Sequence, residues 1–193
     1  QKKDQLEAAG VGKVIFAYEE SYGYMLGDYV RDKDAVTASL LLTEMAAWYA
    51  SQGLTLADAM ESLYEKYGYY KDTVKSIGLK GIEGLAKIQE IMTTLRDNTP
   101  AQIGEHKVLK ARDYKKDTIT DLETGAVTPT GLPNSNVLYY ELPDAAWVCF
   151  RPSGTEPKLK FYYGVKADSM EAADAKAAEL GAAVMAIVEP MLG

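Results

Sequence analysis

Residues 146–166 read AWVCFRPSGTEPKLKFYYGVK and contain two strand-like runs separated by a short polar turn. The first run, 146–151, is apolar up to its last residue, and the second, 158–166, alternates polar with apolar side chains. Alternation with a period of two sends successive side chains to opposite faces of a strand, so Leu159 and Phe161 share one face. The stretch therefore predicts two strands of a sheet that buries one of its faces.

The turn between these strands carries groups that suit a phosphate dianion. The Arg151 guanidinium offers a planar fork of donors, and the hydroxyls of Ser153 and Thr155 can each donate one hydrogen bond. Gly154 can adopt a positive φ and let backbone N–H groups converge on an anion, and Lys158 adds a point charge. The same residue types are also ordinary turn formers, so an ordinary β-turn is the alternative.

Two lysines extend the positive charge from the turn into the second strand. Lys158 and Lys160 are two residues apart and are predicted to share one strand face. The chain has a formal net charge of −7, so any phosphate-binding charge has to be local, as it is here. The alternative interpretation of the two lysines is a solvated sheet face.

The first third of the chain reads as strand, loop and two helices. Residues 14–18 predict a short buried strand, and 19–33 predict a loop. Residues 34–50 predict a helix whose apolar side chains cover most of its circumference, so we expect it to be buried on several sides. Those side chains belong to Val36, Leu40, Leu41, Leu42, Met45 and Trp48. A second helix follows, with Thr55 as its predicted N-cap.

The rest of the chain reads as strand, helix, four strands and helix. The predicted strands are 69–79, 107–113, 136–142, 146–151 and 158–166, and the predicted helices are 81–96 and a last one capped by Asp168. We interpret 113–136 as a long exposed connection. The predicted fold class is α+β: residues 68–193 form a mostly antiparallel sheet with helices on one face, and residues 1–67 are the C-terminal end of a partial α/β domain.

A second polar motif lies far upstream of the turn. Residues 18–24 read YEESYGY, and residues 32–34 read DKD. The Glu19 carboxylate and the Ser21 hydroxyl can bracket sugar hydroxyls, and Lys33 could reach a phosphate or a sugar oxygen. Taken without the turn, Glu19 and its neighbouring glutamate would read as a solvated acidic turn.

The upstream motif and the turn, in this order along the chain, together resemble the α-D-phosphohexomutases, the phosphoglucomutase and phosphomannomutase family. In that family the first motif is similar to the sugar-recognition loop of the third domain, and the second to the phosphate-binding loop of the fourth. The resemblance implies phosphate binding by Arg151, Ser153, Gly154, Thr155, Lys158 and Lys160, and sugar binding by Glu19, Ser21 and Lys33. Family members that prefer glucose phosphates often carry the sequence Glu-Glu-Ser-Phe-Gly in this loop. This chain has Tyr22 at the position of the phenylalanine.

The resemblance also implies chemistry that this chain does not carry. Family members transfer a phosphoryl group between an active-site serine in the first domain and the sugar, with Mg²⁺ held by an Asp-rich loop in the second. The implied activator is a hexose 1,6-bisphosphate, and the implied substrate is a hexose phosphate. Because the chain starts on no evident domain boundary and lacks both loops, we expect a fragment that is inactive by itself, with N-terminal domains of the same chain as its partners.

Composition narrows the setting. The single cysteine, Cys149, excludes an internal disulfide framework and fits a reducing, cytoplasmic compartment. We interpret it as a buried structural thiol. The acidic net charge argues against nucleic acid and anionic membranes as partners, and no stretch has the length of a membrane span. His106 has no partner for a metal site and is assigned no role.

Two other functions remain open from the sequence. One is a non-catalytic phosphosugar- or anion-binding module that has borrowed the turn. The other is a purely structural interaction domain. A serine loop and an Asp-rich metal loop upstream in the full-length protein would favour the mutase over the first alternative.

Overall fold

A computed structural model describes residues 2–19, 22–154 and 156–192. The chain divides into two compact units, Gln1–Leu63 and Tyr64–Gly193. The predicted site residues Ser21 and Thr155 lie outside the described residues. None of the helices in the described part of the chain combines the length and the apolar character that crossing a bilayer requires.

The first unit is built from a helix, a β-hairpin and a longer helix. Helix α1 is Lys2–Ala8, strands β1 and β2 are Phe16–Tyr18 and Tyr24–Leu26, and helix α2 is Ala35–Ala50. The two strands pair antiparallel, with Tyr18 opposite Tyr24. Helix α3, Leu56–Tyr67, starts in this unit and ends in the next.

Side-chain caps fix the starts of both longer helices, and Thr55 caps α3 as predicted. The Asp34 carboxylate accepts hydrogen bonds from the backbone N–H groups of Val36 and Thr37. At α3 the Thr55 hydroxyl accepts from the backbone of Asp58, whose carboxylate accepts from the Thr55 N–H at 2.7 Å. This reciprocal pair satisfies two N–H groups that a helix start leaves without intrahelical partners.

Three predictions for the first unit are wrong. Helix α2 contains no buried residue, although all of its residues are described, and Trp48 is 59% exposed. Strand β1 is not buried either, since Phe16 and Tyr18 are 40% and 72% exposed. Apolar side chains become buried only where another layer covers them, and composition does not reveal that layer. The predicted loop 19–33 also contains β2, because the chain folds back on β1.

The second unit is an antiparallel sheet with two helices. Its elements are β3 (Tyr69–Gly78), α4 (Gly81–Asp97), β4 (Gln102–Ile103), β5 (His106–Lys107), β6 (Lys110–Asp113), β7 (Thr118–Asp121), β8 (Val127–Thr128), β9 (Leu138–Glu141), β10 (Trp147–Pro152), β11 (Lys158–Ala167) and α5 (Met170–Leu192). Seven of the described strands form one sheet in the order β3-β11-β10-β9-β6-β7-β8, and β4 and β5 form a separate pair. The predicted α+β class with a mostly antiparallel sheet is confirmed.

The middle of the second unit departs from the sequence prediction. The single strand predicted at 107–113 is two strands in different sheets, β5 and β6. The supposed connection 113–136 contains β7 and β8, reached by a turn in which Asp117 has a φ of 53°. These strands have only four and two residues, so their hydrophobic pattern is too short to stand out from a loop.

The core lies between the helices and one face of the sheet. Alternate residues of the central strands point into it, so Phe150, Phe161 and Tyr163 are each at most 1% exposed. Helix α4 contributes Ile88, Ile91, Met92 and Leu95, and helix α5 contributes Ala177, Leu180, Val184 and Val188. Both helices cover the same face, as predicted, and the residues between the core positions form the uncovered face, on which neither of these helices lies.

A buried ion pair ties α4 to β6. The Arg96 Nε donates to Asp113 Oδ2 at 2.9 Å, and their side chains are only 7% and 11% exposed. A second guanidinium nitrogen of Arg96 donates to Asn136 Oδ1 at 2.8 Å. Buried charges require such partners, and the pair links the helix to the sheet.

Candidate functional site

The phosphate-loop candidate is the hairpin that joins β10 to β11. The last strand pairs before the loop are Arg151 opposite Lys160 and Pro152 opposite Leu159. The loop is closed by a hydrogen bond from the Ser153 N–H to the Lys158 carbonyl at 2.8 Å. It is also tied to β3, since the Leu79 N–H donates to the Pro157 carbonyl at 2.8 Å. The loop is therefore anchored to two neighbouring segments of the sheet, and its residues Gly154 and Glu156 are exposed.

Arg151 and Lys160 form a positive pair on the uncovered face. They are directly opposed across two strands, and the alternation of β10 and β11 directs both away from the core. Arg151 is exposed and makes no ion pair with any residue that the structure describes. Like charges in opposed positions destabilise a sheet unless an anion lies between them. The arrangement can accept a dianion without breaking an existing pair.

Lys158 differs from these two cations. Its ammonium lies 3.0 Å from Glu156 Oε2, and both side chains are about half exposed. The Ser153 hydroxyl oxygen lies 3.4 Å from the Glu156 N–H, which can donate to it. The loop's own acid thus compensates one of its three positive charges.

The prediction that Gly154 adopts a positive φ is wrong. Gly154 is not among the residues with positive φ, and a Cβ built on it would meet nothing within 4 Å. Four residues separate Ser153 from Lys158, and loops of that length are most often built around turns with negative φ. Gly154 therefore contributes open space above the loop rather than a left-handed bend.

Cys149 lies on the same face as Arg151 and is half-buried. Burial raises the pKa of its thiol to about 11, which the charge of Arg151 opposes. A thiol with that pKa is protonated at neutral pH and is a poor nucleophile. The interpretation of Cys149 as a structural residue is consistent with this environment.

The sugar-loop candidate is the β1–β2 hairpin together with the segment before α2. Nine residues surround a small open cavity of about 170 Å³: Ala17, Tyr18, Glu19, Gly23, Tyr24, Met25, Arg31, Asp32 and Lys33. The Glu19 N–H donates to the Gly23 carbonyl at 2.8 Å and so closes the hairpin. Tyr22, at the hairpin tip, has a φ of 64° and is 87% exposed. The structure thus brings Glu19 and Lys33 to one cavity.

Three charged side chains meet in this cavity. The Lys33 ammonium lies 3.0 Å from Asp32 Oδ1 and 3.4 Å from Glu19 Oε1. The hydrogen bond with Lys33 lowers the pKa of Asp32, and the bond with Asp32 is the main cause that raises the pKa of Lys33. Sequence reasoning noticed Asp32 beside Lys33 but gave it no role, and it missed Arg31, which lines the cavity and pairs with Asp4 at 2.9 Å.

The Asp34 carboxylate stabilises the start of α2 and does not line the cavity. Besides capping α2, its carboxylate accepts hydrogen bonds from the hydroxyls of Thr37, at 2.6 Å, and Tyr29. These bonds lower its pKa to about 2. The prediction that Asp34 belongs to a helix N-terminus is confirmed.

A solved structure shares the sheet-and-helix fold of this chain. This chain superposes on the open form of parafusin, an exocytosis-sensitive phosphoprotein and phosphoglucomutase from Paramecium, with a TM-score of 0.58. That match has 18% sequence identity and covers 96% of this chain and 32% of the Paramecium chain, so it shows the fold.

Sequence comparison finds proteins that are similar to this chain. The family model for phosphoglucomutase/phosphomannomutase, alpha/beta/alpha domain III, matches residues 3–67. Two phosphoglucomutases from Staphylococcus aureus strains are each 40% identical to this chain. The two alignments cover 158 and 153 residues, which are 82% and 79% of the chain. Residues 3–67 thus match the third domain of the phosphoglucomutase and phosphomannomutase family, and the chain is similar to phosphoglucomutases over most of its own length. It spans 28% of the length of these relatives.

Proposed function

We propose that this chain is the substrate-binding part of a sugar-phosphate mutase that interconverts hexose 1-phosphate and hexose 6-phosphate. The proposed sugar is glucose, and the proposed route is a phosphoserine enzyme with a bisphosphate intermediate. The observation that carries the proposal is the exposed Arg151, unpaired among the described residues and facing Lys160 beside the loop.

The phosphate loop supports the binding half of this proposal. A charge-assisted hydrogen bond contributes about 1.5–3 kcal/mol when it is well made. Arg151, Lys160 and the hydroxyl of Ser153 border the loop, and Gly154 leaves the space above it open. We propose that they hold the phosphate that does not react, with Lys158 and Thr155 as further ligands. Binding energy far from the reacting bond then orients that bond.

The sugar loop supports the recognition half. We propose that Glu19 and Ser21 recognise the sugar, and that Lys33, which lines the same cavity as Glu19, assists in sugar binding. A carboxylate has about four acceptor sites, so Glu19 can keep its contact with Lys33 and still accept sugar hydroxyls. The sequence of the loop is rich in carboxylates and hydroxyls, which suit a polyol better than an apolar ligand.

The group-transfer chemistry is proposed for the rest of the full-length protein. The serine, the Mg²⁺ ligands and the response to a hexose 1,6-bisphosphate activator would lie outside this chain. No group of three His, Cys, Asp or Glu side chains among the described residues is placed to hold a metal ion. We also propose a cytoplasmic location, in keeping with the single, half-buried Cys149.

A coupled assay of the full-length protein tests the function. We expect turnover of glucose 1-phosphate in the presence of a trace of glucose 1,6-bisphosphate, and slower turnover of mannose 1-phosphate. In Arg151→Ala, we expect the affinity for glucose 1-phosphate to fall about tenfold, which is about 1.4 kcal/mol. The unfolding midpoint of the variant should equal that of the wild type, because Arg151 makes no ion pair with any residue that the structure describes.

Lys107→Ala is the matched control. Lys107 is an exposed cation of the same unit, on the separate β4–β5 pair. The Lys107→Ala variant should have the same Michaelis constant for glucose 1-phosphate as the wild type. A protein that neither binds nor converts glucose 1-phosphate, or an Arg151→Ala variant with normal affinity, would overturn the proposal.

A further inference from the structure

Lys33 is held by two carboxylates in the cavity of the first unit. Its ammonium contacts Asp32 Oδ1 at 3.0 Å and Glu19 Oε1 at 3.4 Å, and its backbone N–H donates to Asp32 Oδ1 at 2.8 Å. The next backbone N–H, that of Asp34, donates to the Tyr24 carbonyl at 2.8 Å. The segment that carries Lys33 is therefore fixed to β2.

Gly23 gives the Lys33 side chain its path across the hairpin. A Cβ on Gly23 would lie 2.5 Å from Lys33 Cγ, 3.1 Å from Lys33 Cδ and 3.1 Å from Glu19 Oε2. Side chains do not approach a Cβ as closely as 2.5 Å, so the lysine stem could not lie there beside any residue but glycine. The stem and the Glu19 carboxylate thus meet over one backbone position.

The local charge argues against phosphate as the partner of Lys33. Glu19 and Asp32 carry two negative charges against the positive charge of Lys33, and the other cation that lines the cavity, Arg31, is paired with Asp4. A phosphate dianion approaching this lysine would face both carboxylates, whereas a neutral sugar hydroxyl would not. Phosphate has a more favourable position at Arg151 and Lys160, where the structure describes no acid in contact with either cation.

From these contacts we infer that Lys33 is a positioning residue, which fixes the Glu19 carboxylate for sugar hydroxyls and does not bind the phosphate. The inference rests on the proposed function. Lys33 holds Glu19 Oε1 from one side, and the lone pairs that remain on the carboxylate accept from the sugar. Preorganising an acceptor in this way raises affinity by reducing the ordering that binding requires.

The experiment is a double-mutant cycle in the full-length protein with glucose 1-phosphate. Lys33→Met keeps the stem over Gly23 and removes the charge. We expect it to raise KM about tenfold, with a smaller effect on kcat. Lys33→Arg should restore KM to within about threefold of wild type, because it restores the ion pair. Gly23→Ala should imitate Lys33→Met by displacing the stem.

The decisive variant is Glu19→Gln combined with Lys33→Met. If Lys33 acts through Glu19, the double variant is no worse than Glu19→Gln alone. Inhibition by inorganic phosphate should be the same in wild type and Lys33→Met. The inference would be overturned if the increase in KM of the double variant were the product of the increases in the two single variants, or if phosphate inhibited Lys33→Met more weakly than wild type. Either result would show that Lys33 contacts the substrate directly. A wild-type protein without affinity for glucose 1-phosphate would instead overturn the proposed function, and the inference with it.

Discussion

At the scale of single residues, charge pairing separates the side chains that hold the structure from those available to a ligand. Arg96 and Asp113 satisfy each other in the interior, and Arg112 donates to Glu141 Oε1 on the uncovered face, at 2.7 Å from its Nε. Arg151 has no such acid among the residues that the structure describes. An exposed guanidinium without a carboxylate partner keeps its full donor fork for an incoming anion.

Asp34 gives a prediction about pH at the same scale. Hydrogen bonds from Thr37 and Tyr29 lower its pKa to about 2, against about 3.9 for an unfolded aspartate. A depressed pKa means that the stabilisation is complete above about pH 4 and is lost as the pH falls from about 4 to 2. Asp34→Asn keeps a side chain suited to an N-cap but removes the charge. We expect this variant to lose less stability than wild type over that window.

The measurement uses the two tryptophans, one in each unit. In a Trp147→Phe background, the fluorescence of Trp48 reports urea unfolding of the helix that Asp34 caps. Asp144→Asn, which changes an exposed aspartate of the second unit, should leave that pH dependence intact. Equal losses in wild type and Asp34→Asn between pH 4 and 2 would contradict the prediction.

At the scale of elements, the sequence predicted strands well where alternation was long. Strand β11 is Lys158–Ala167 against a predicted 158–166, because its buried and partly exposed side chains alternate over most of its length. Strands β7 and β8 were missed because four and two residues cannot establish a period. Helix α2 was placed correctly, but its burial was wrong, since apolar composition does not specify what packs against it.

The candidate site was predictable in residue type and less so in geometry. The sequence placed Lys158 and Lys160 on one strand face, and Pro and Gly at the turn. It could not predict the conformation of Gly154, which depends on loop length and closure, or that Glu156 pairs with Lys158. Nor could it predict the contact of Lys33 with Glu19, which joins residues fourteen positions apart through the pairing of β1 with β2.

The element that carries the phosphate loop should depend on its packed face. Phe161 is fully buried, and its ring centroid lies 5.5 Å from that of Phe150 in an edge-to-face arrangement. Replacing a buried phenylalanine with alanine costs about 3–5 kcal/mol in lost burial and cavity formation. We therefore expect Phe161→Ala to lower the free energy of unfolding by about that amount in urea denaturation.

Val74→Ala is the control for this prediction. Val74 lies on β3, the neighbouring strand, with 56% of its surface exposed. We expect a change of at most about 0.5 kcal/mol, as for most exposed substitutions. A Phe161→Ala cost no larger than that of Val74→Ala would mean that the core does not support the loop.

At the scale of the whole molecule, an acidic chain has to bind an anion through a local patch. The net charge of −7 repels phosphate at long range, but salt screens that repulsion beyond about 8 Å at physiological ionic strength. Direct contacts at Arg151 are screened much less. Affinity should therefore depend on the loop and little on total charge, so neutralising distant acids should not replace Arg151.

The same reasoning, together with the proposed function, predicts binding without catalysis for the isolated 193-residue chain. Isothermal titration with glucose 1-phosphate should show binding that weakens about tenfold in Arg151→Ala, while Lys107→Ala behaves as wild type. The coupled assay should show no conversion by the chain at any concentration, with glucose 1,6-bisphosphate present. The reason is that positioning alone supplies neither the nucleophile nor the metal charge that phosphoryl transfer requires. Conversion by the purified chain, lost on Arg151→Ala, would show that the reacting groups lie within these 193 residues.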